Sequence, residues 1–137
     1  FEDPSLFTDY IKPYDLQLMK EIDRACPFNI LHVCDYQAGY DDLSPFLDYP
    51  GDVVNSPLTV GSKAMSPKEA SRFFDRPYMG GLDRHGIIAT GSSQEIQETV
   101  QCVLDDAPQR FILGADCTLP SDIDWDNIRT AIATAHG

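Results

Sequence analysis

Four short apolar runs, each followed by a stretch with helical spacing, constrain this chain more than any other feature. The runs are residues 28–34, Asp52-Val53-Val54-Asn55, Arg76-Pro77-Tyr78-Met79-Gly80-Gly81 and residues 109–113. The helical segments have readable starts and stops. Pro13 suits the first turn of a long helix, in which Leu18, Met19, Ile22, Ala25 and Cys26 recur at helical spacing until Pro27 ends it. Ser66-Pro67-Lys68-Glu69 and Ser92-Ser93-Gln94-Glu95 are capping boxes. Ala70, Phe73 and Phe74 form the predicted inner face after the first box. Ile96, Val100, Val103, Leu104 and Ala107 do so after the second, where Pro108 breaks the helix. Asp124 is placed to cap a last helix whose apolar residues are Trp125, Ile128, Ala131, Ile132 and Ala135. Residues 1–11 read as a short helix or turn, residues 43–47 as a short helix capped by Asp41 or Asp42, and residues 35–40 and 58–64 as loops.

Regular strand–helix alternation means parallel strands joined by helical crossovers. The first run holds almost nothing polar besides Asn29 and His32, as expected of a strand covered on both faces. A closed barrel of this type needs eight units and about 250 residues. This chain has 137 residues, a leading helix and four units. The expected fold is therefore α/β, a (β/α)8 TIM-barrel type of which the chain supplies about half as one domain over residues 1–137. Alone, such a half leaves two strand edges and an inner face uncovered. It is expected to pair, as a homodimer or with a missing N-terminal half. The chain opens at Phe1 without an initiator methionine, and the expectation is a segment of a longer protein.

Composition narrows the partners. Twenty-two acidic against ten basic residues give a formal charge of -12, the opposite of a nucleic-acid footprint and poorly suited to anionic lipid. No apolar run approaches the roughly 20 residues that cross a bilayer. Neither nucleic acid nor membrane is expected as a partner. Four cysteines, at 26, 34, 102 and 117, are sparse for a disulfide scaffold and favour a reducing compartment, hence a cytoplasmic location.

In barrels of this class chemistry sits at the C-terminal ends of the strands. His32 and Cys34 close the first strand, two residues apart and so on one face. Cys117 lies just past the fourth strand. Imidazole and thiolate are the usual ligands of zinc, and three protein ligands with one position open is its catalytic pattern. Spacing alone favours the blander reading: two small buried cysteines and a satisfied core histidine. Cys26 and Cys102 sit among apolar helical neighbours and read as core, His85 as a solvent-exposed loop residue and His136 as frayed. Asp83 and Asp116 fall in strand-end loops, where a carboxylate binds substrate, orients a histidine or simply makes a turn. Tyr36 and Tyr40 can wall a pocket there or merely pack. Gly80-Gly81 and Gly114 fit no phosphate-loop pattern.

The run Arg110-Phe111-Ile112-Leu113-Gly114-Ala115-Asp116-Cys117-Thr118-Leu119-Pro120-Ser121-Asp122, leading through Trp125-Asp126-Asn127-Ile128 to Ala135-His136, resembles the C-terminal end of the uroporphyrinogen decarboxylase superfamily. So does Gly80-Gly81-Leu82-Asp83-Arg84, and the resemblance covers essentially the whole chain, in register with the C-terminal half of that barrel. It implies one of several chemistries. The decarboxylases of porphyrin biosynthesis use no metal or cofactor and carry a histidine where Asp116 stands here, with no His-x-Cys at the first strand. The cobalamin-dependent methyltransferases, including those acting on coenzyme M, bind zinc through His-x-Cys plus a late cysteine, which correspond to His32, Cys34 and Cys117. Cobalamin-independent methionine synthases add a glutamate, whereas Asn55 and Ser56 end the second strand here. The resemblance thus implies a zinc-dependent methyltransferase that activates a small-molecule thiol, with a corrinoid, carried by a corrinoid protein, as methyl donor. Asp83, Asp116 and Tyr36 are the substrate-binding candidates. The alternatives are decarboxylation of a tetrapyrrole and a non-catalytic half-barrel.

Overall fold

Both capping boxes form, and they fix where two central helices begin. In the computed structural model, which describes residues 4–35 and 39–137, the Ser66 hydroxyl accepts the Glu69 N–H while Glu69 accepts the Ser66 N–H at 2.8 Å. Ser92 and Glu95 repeat the exchange, and Asp124 accepts the Asp126 N–H at 2.9 Å. Each side chain satisfies donors that a helix start otherwise leaves unpaired.

A helical run opens the chain: α1 (Pro4–Leu6), a π-helical turn (Phe7–Ile11) and α2 (Lys12–Ala25). Then follow β1 (Ile30–His32), a 3₁₀ turn (Ser44–Phe46) and β2 (Val53–Asn55). The hairpin β3 (Thr59–Val60) and β4 (Lys63–Ala64) leads to α3 (Pro67–Phe74), β5 (Tyr78–Leu82), α4 (Ile87–Thr90), α5 (Ser93–Asp105), β6 (Phe111–Ala115) and α6 (Trp125–His136). The main sheet has the order β1-β2-β5-β6, and every neighbouring pair is parallel. This is the expected α/β class, four consecutive strand–helix units of a partial (β/α)8 barrel. No helix among the described residues is long and apolar enough to cross a membrane.

Register separates the two faces of the sheet. Leu31 and Val54 are partners in the ladder and belong to one apolar cluster with Val33, Leu43, Tyr49 and Phe74. Leu82 anchors a second cluster with Ile88, Ile96, Val100 and Ala131, against which Leu113 also packs. Tyr78 is fully buried between them, and its hydroxyl donates to the Ser56 carbonyl at 2.6 Å. Burial pushes its phenol up to about 12, so it stays a donor. The opposite face carries His32, Asn55, Met79 and Ile112 in one row. At its two edges Ile30 and Ile112 are 39% and 40% exposed.

Several expectations need correcting. The first strand is shorter than residues 28–34 and buries only alternate residues. Leu18 and Ile22 point outward, 62% and 43% exposed, whereas Met19 of the same set packs inward, joined by Phe7 and Leu16. Phe73, Trp125 and Ile132 are likewise exposed, as are Cys26 and Cys102. His85 is exposed as expected, but His136 closes α6 rather than fraying. Residues 58–64 form the β3–β4 hairpin rather than a plain loop, turned by Gly61 at φ +58°. Helix α4 was also hidden, since one turn carries no periodicity.

Gly81 shows a position with no freedom to change. Its φ is +100°, and a Cβ there would lie 2.4 Å from Val103 Cγ1 on α5. The strand and its covering helix approach too closely for any side chain.

Leu31→Ala, in the middle of the first cluster, is expected to lower the unfolding free energy by about 2–5 kcal/mol, and Leu18→Ala by under about 0.5 kcal/mol. Urea titration of the two variants checks the contrast; equal losses would contradict the assignment of the inner face of α2.

Candidate metal centre

The strand ends continue past their regular spans, and this brings the candidate ligands together. The Val33 N–H still donates to the Asn55 carbonyl at 2.8 Å, so β1 stays extended as it reaches Cys34. Alternation then places Cys34 on the same side as His32. At the far edge the Asp116 N–H donates to the Leu82 carbonyl at 2.9 Å, which carries the β5–β6 ladder up to Cys117.

Across the mouth of the half-barrel the three donors meet. Cys34 Sγ lies 3.6 Å from Cys117 Sγ, and Cys117 Sγ lies 3.4 Å from His32 Nε2. All three ligand atoms fall within 4.8 Å of one another. The sulfurs are much farther apart than the roughly 2.05 Å of a disulfide. A tetrahedral zinc, with bonds of about 2.3 Å to sulfur and 2.0–2.1 Å to nitrogen, requires edges of about 3.8 Å and 3.6 Å. Two of the three edges thus lie close to those of a four-coordinate ion that leaves one position for a ligand from outside, and the third is bounded at 4.8 Å.

Asn55 fixes the histidine. Its side chain is buried, and Nδ2 donates to the carbonyls of Met79 and Ala115 at 2.9 and 3.0 Å. Both amide hydrogens are thereby used, so it is Oδ1 that faces His32 Nδ1, at 2.5 Å. Oδ1 only accepts, so Nδ1 carries the proton of the neutral ring and Nε2 turns its lone pair toward Cys117. Sequence reasoning noted Asn55 only for not being a carboxylate. The available signal was one amide closing an otherwise apolar Val53-Val54 strand.

The flanking loops are tied to one another. Arg84 Nη1 donates to Asp35 Oδ1 at 2.8 Å and to Asp116 Oδ2 at 2.9 Å, and the Arg84 N–H donates to Asp116 Oδ1 at 2.7 Å. The Asp35 hydrogen bond leads in holding the guanidinium pKa above its ordinary value. Tyr40 donates its hydroxyl to the Cys34 carbonyl at 2.7 Å, and burial raises its pKa. Asp83 is exposed and accepts the His85 N–H at 2.8 Å, a turn contact. Asp83, Asp116, Asp35, Arg84 and His85 line one side of a cleft of about 320 Å³, and residues 57–59 line the other. Of the substrate-binding candidates, Asp116 and Asp83 thus lie on this cleft, and Tyr36 is outside the described residues. Asp35 and Arg84 were missed, although Arg84 sits in the Gly80-Gly81-Leu82-Asp83-Arg84 run.

A family model described as uroporphyrinogen decarboxylase matches residues 3–137. No curated protein matches the chain.

Nuclear magnetic resonance of the imidazole nitrogens at a pH where His32 is neutral is expected to show the Nδ1–H tautomer. Asn55→Ala is expected to shift the ring toward the Nε2–H form that free side chains favour. An Nε2–H ring in the unaltered protein would refute the hydrogen-bond assignment.

Proposed function

The chain belongs to the uroporphyrinogen decarboxylase family, and within it we propose a zinc-dependent, methyltransferase-like protein that activates a thiol for methyl transfer from a corrinoid. The observation that carries this is the convergence of one imidazole and two thiols within 4.8 Å, with two of the three separations close to the edges of a zinc tetrahedron. His32 binds through Nε2, and Cys34 and Cys117 bind through Sγ. Zinc, when held there, supplies a Lewis acid that keeps a substrate thiol in its nucleophilic thiolate form. The protein's own groups prepare that event. Asn55 holds the His32 lone pair toward the site, and Tyr40 anchors the backbone of Cys34. The cleft beside the donors receives the substrate, with Asp83 and Asp116 on its wall.

Decarboxylation of a porphyrinogen is the second reading, favoured by the description of the family. It sits less well with the cleft. Asp35, Asp83 and Asp116 face it with Arg84 as its one arginine or lysine, a poor field for a substrate bearing several carboxylates.

The remaining parts of the proposal concern partners and place. Tyr14, Leu18 and Ile22 form an exposed stripe on α2 beside one edge of the sheet, and Trp125 and Ile132 another on α6 beside the other. These surfaces support pairing with an N-terminal half of the barrel or with a second copy. Thiol ligands work in a reducing compartment, which supports a cytoplasmic location.

Elemental analysis of protein purified under reducing conditions is expected to find about one zinc per complete site. Cys34→Ala or Cys117→Ala is expected to lose it, consistent with three required ligands. Metal-free protein with a thiol-transfer activity indifferent to both substitutions would end the proposal. Porphyrinogen turnover that survives a chelator would favour the decarboxylase reading instead.

A further inference from the structure

The two sulfur donors come from strands that never touch. β1 and β6 are the opposite edges of the sheet, separated by β2 and β5. Three steps of about 4.8 Å along a flat sheet would hold such strands some 14 Å apart. Cys34 Sγ and Cys117 Sγ are nevertheless 3.6 Å apart. The ladders pair neighbouring strands only, which leaves that distance to the curl of the sheet and to the groups above the strand ends.

Asn55 links His32 on β1 to the Ala115 carbonyl on β6, and a second side chain spans the gap next to the two cysteines themselves. Asp35 follows Cys34 and Asp116 precedes Cys117 in sequence, and a single nitrogen of Arg84 bonds both carboxylates. This cluster is unlike the other ion pairs among the described residues. The side chains of Arg84, Asp35 and Asp116 are 13%, 18% and 18% exposed, against 73% and 63% for Arg24 and Glu21 or 75% and 77% for Arg129 and Asp126. Poorly hydrated charges held at 2.8–2.9 Å resist displacement far more than surface pairs do. The Arg84 N–H bond to Asp116 adds a second restraint on the Cys117 side.

We propose that Arg84 is a positioning residue whose bridge between Asp35 and Asp116 sets the separation of the Cys34 and Cys117 sulfurs. Its consequence for metal affinity rests on the zinc reading above; the distance it sets does not. Arg84 acts on each cysteine through the adjacent aspartate, and it comes from the loop after β5, the strand that lies between β2 and β6.

The test reads the thiol pair directly. In metal-free protein carrying Cys26→Ser and Cys102→Ser, the two remaining thiols are equilibrated with reduced and oxidised glutathione. Forming the Cys34–Cys117 bond passes two electrons and two protons to glutathione disulfide, giving two glutathione molecules. The equilibrium constant is the effective concentration of one thiol at the other. Arg84→Met is expected to lower it at least tenfold, and Arg84→Lys, which keeps the charge but loses the fork, by less. If Arg84→Met does not fold, Arg84→Lys and Asp35→Asn carry the comparison. A value within twofold of the parent in every folded variant overturns the proposal.

A parallel titration with cobalt(II), followed by thiolate-to-metal charge-transfer absorption, separates this inference from the zinc reading. Weakening of about 10- to 100-fold in Arg84→Met is expected, as for other groups that orient ligands from behind. A parent that binds no cobalt but whose thiol equilibrium responds to Arg84 sinks the metal reading and leaves the positioning role. A parent that binds cobalt, with neither readout moved by Arg84, does the reverse.

Discussion

A parallel sheet whose first and last strands lie at opposite edges imposes the geometry on which the rest of this molecule depends. Parallel neighbours cannot be joined by a tight turn, so each strand is followed by a crossover that returns along one face. All C-terminal strand ends therefore open in one direction. The donors from β1 and the donor after β6 share that mouth without sharing a hydrogen-bond ladder. What lies between them, Asn55 from β2 and Arg84 from the loop after β5, is placed by the same order to reach both sides.

The same constraint explains where apolar surface remains. Helices cover one face, and two clusters fill the space beneath them. The other face ends in half-exposed Ile30 and Ile112 at the edges, and the helices next to those edges show Leu18, Ile22, Trp125 and Ile132 to solvent. Some of the exposed apolar residues thus lie where a closed barrel would continue, while others, such as Phe73 on α3 and Ile87 on α4, do not. The sheet centre, by contrast, is tight enough that Gly81 leaves no room for a methyl group against Val103.

Much of this was legible in the sequence, and the rest was hidden for identifiable reasons. The capping residues Ser66, Ser92 and Asp124 were readable because their bonds close within three residues. The shared side of His32 and Cys34 followed from strand alternation alone. Helical periodicity correctly found an apolar side on α2, but periodicity says nothing about what covers a side. Leu18 and Ile22, at helical spacing with Met19, are exposed while Met19 packs on the core. The hairpin at 59–64 and the turn of helix at 87–90 are shorter than any repeat they could display. Asn55 and Arg84 were out of reach for another reason. Their meaning lies in partners 23 to 60 residues away, which only the folded register selects.

The wide sequence separation of Cys34 and Cys117, 83 residues, also has a meaning in time. Contacts of high separation form late, because the chain between them must first be ordered. The histidine and the first cysteine are laid down with β1, and the second cysteine takes its place only when β6, the last strand, has docked on β5. Until then the site does not exist in any partial form with more than two donors. On the zinc reading proposed above, an ion that needs all three donors binds only after β6 has docked on β5, and its binding energy favours that state over less ordered ones.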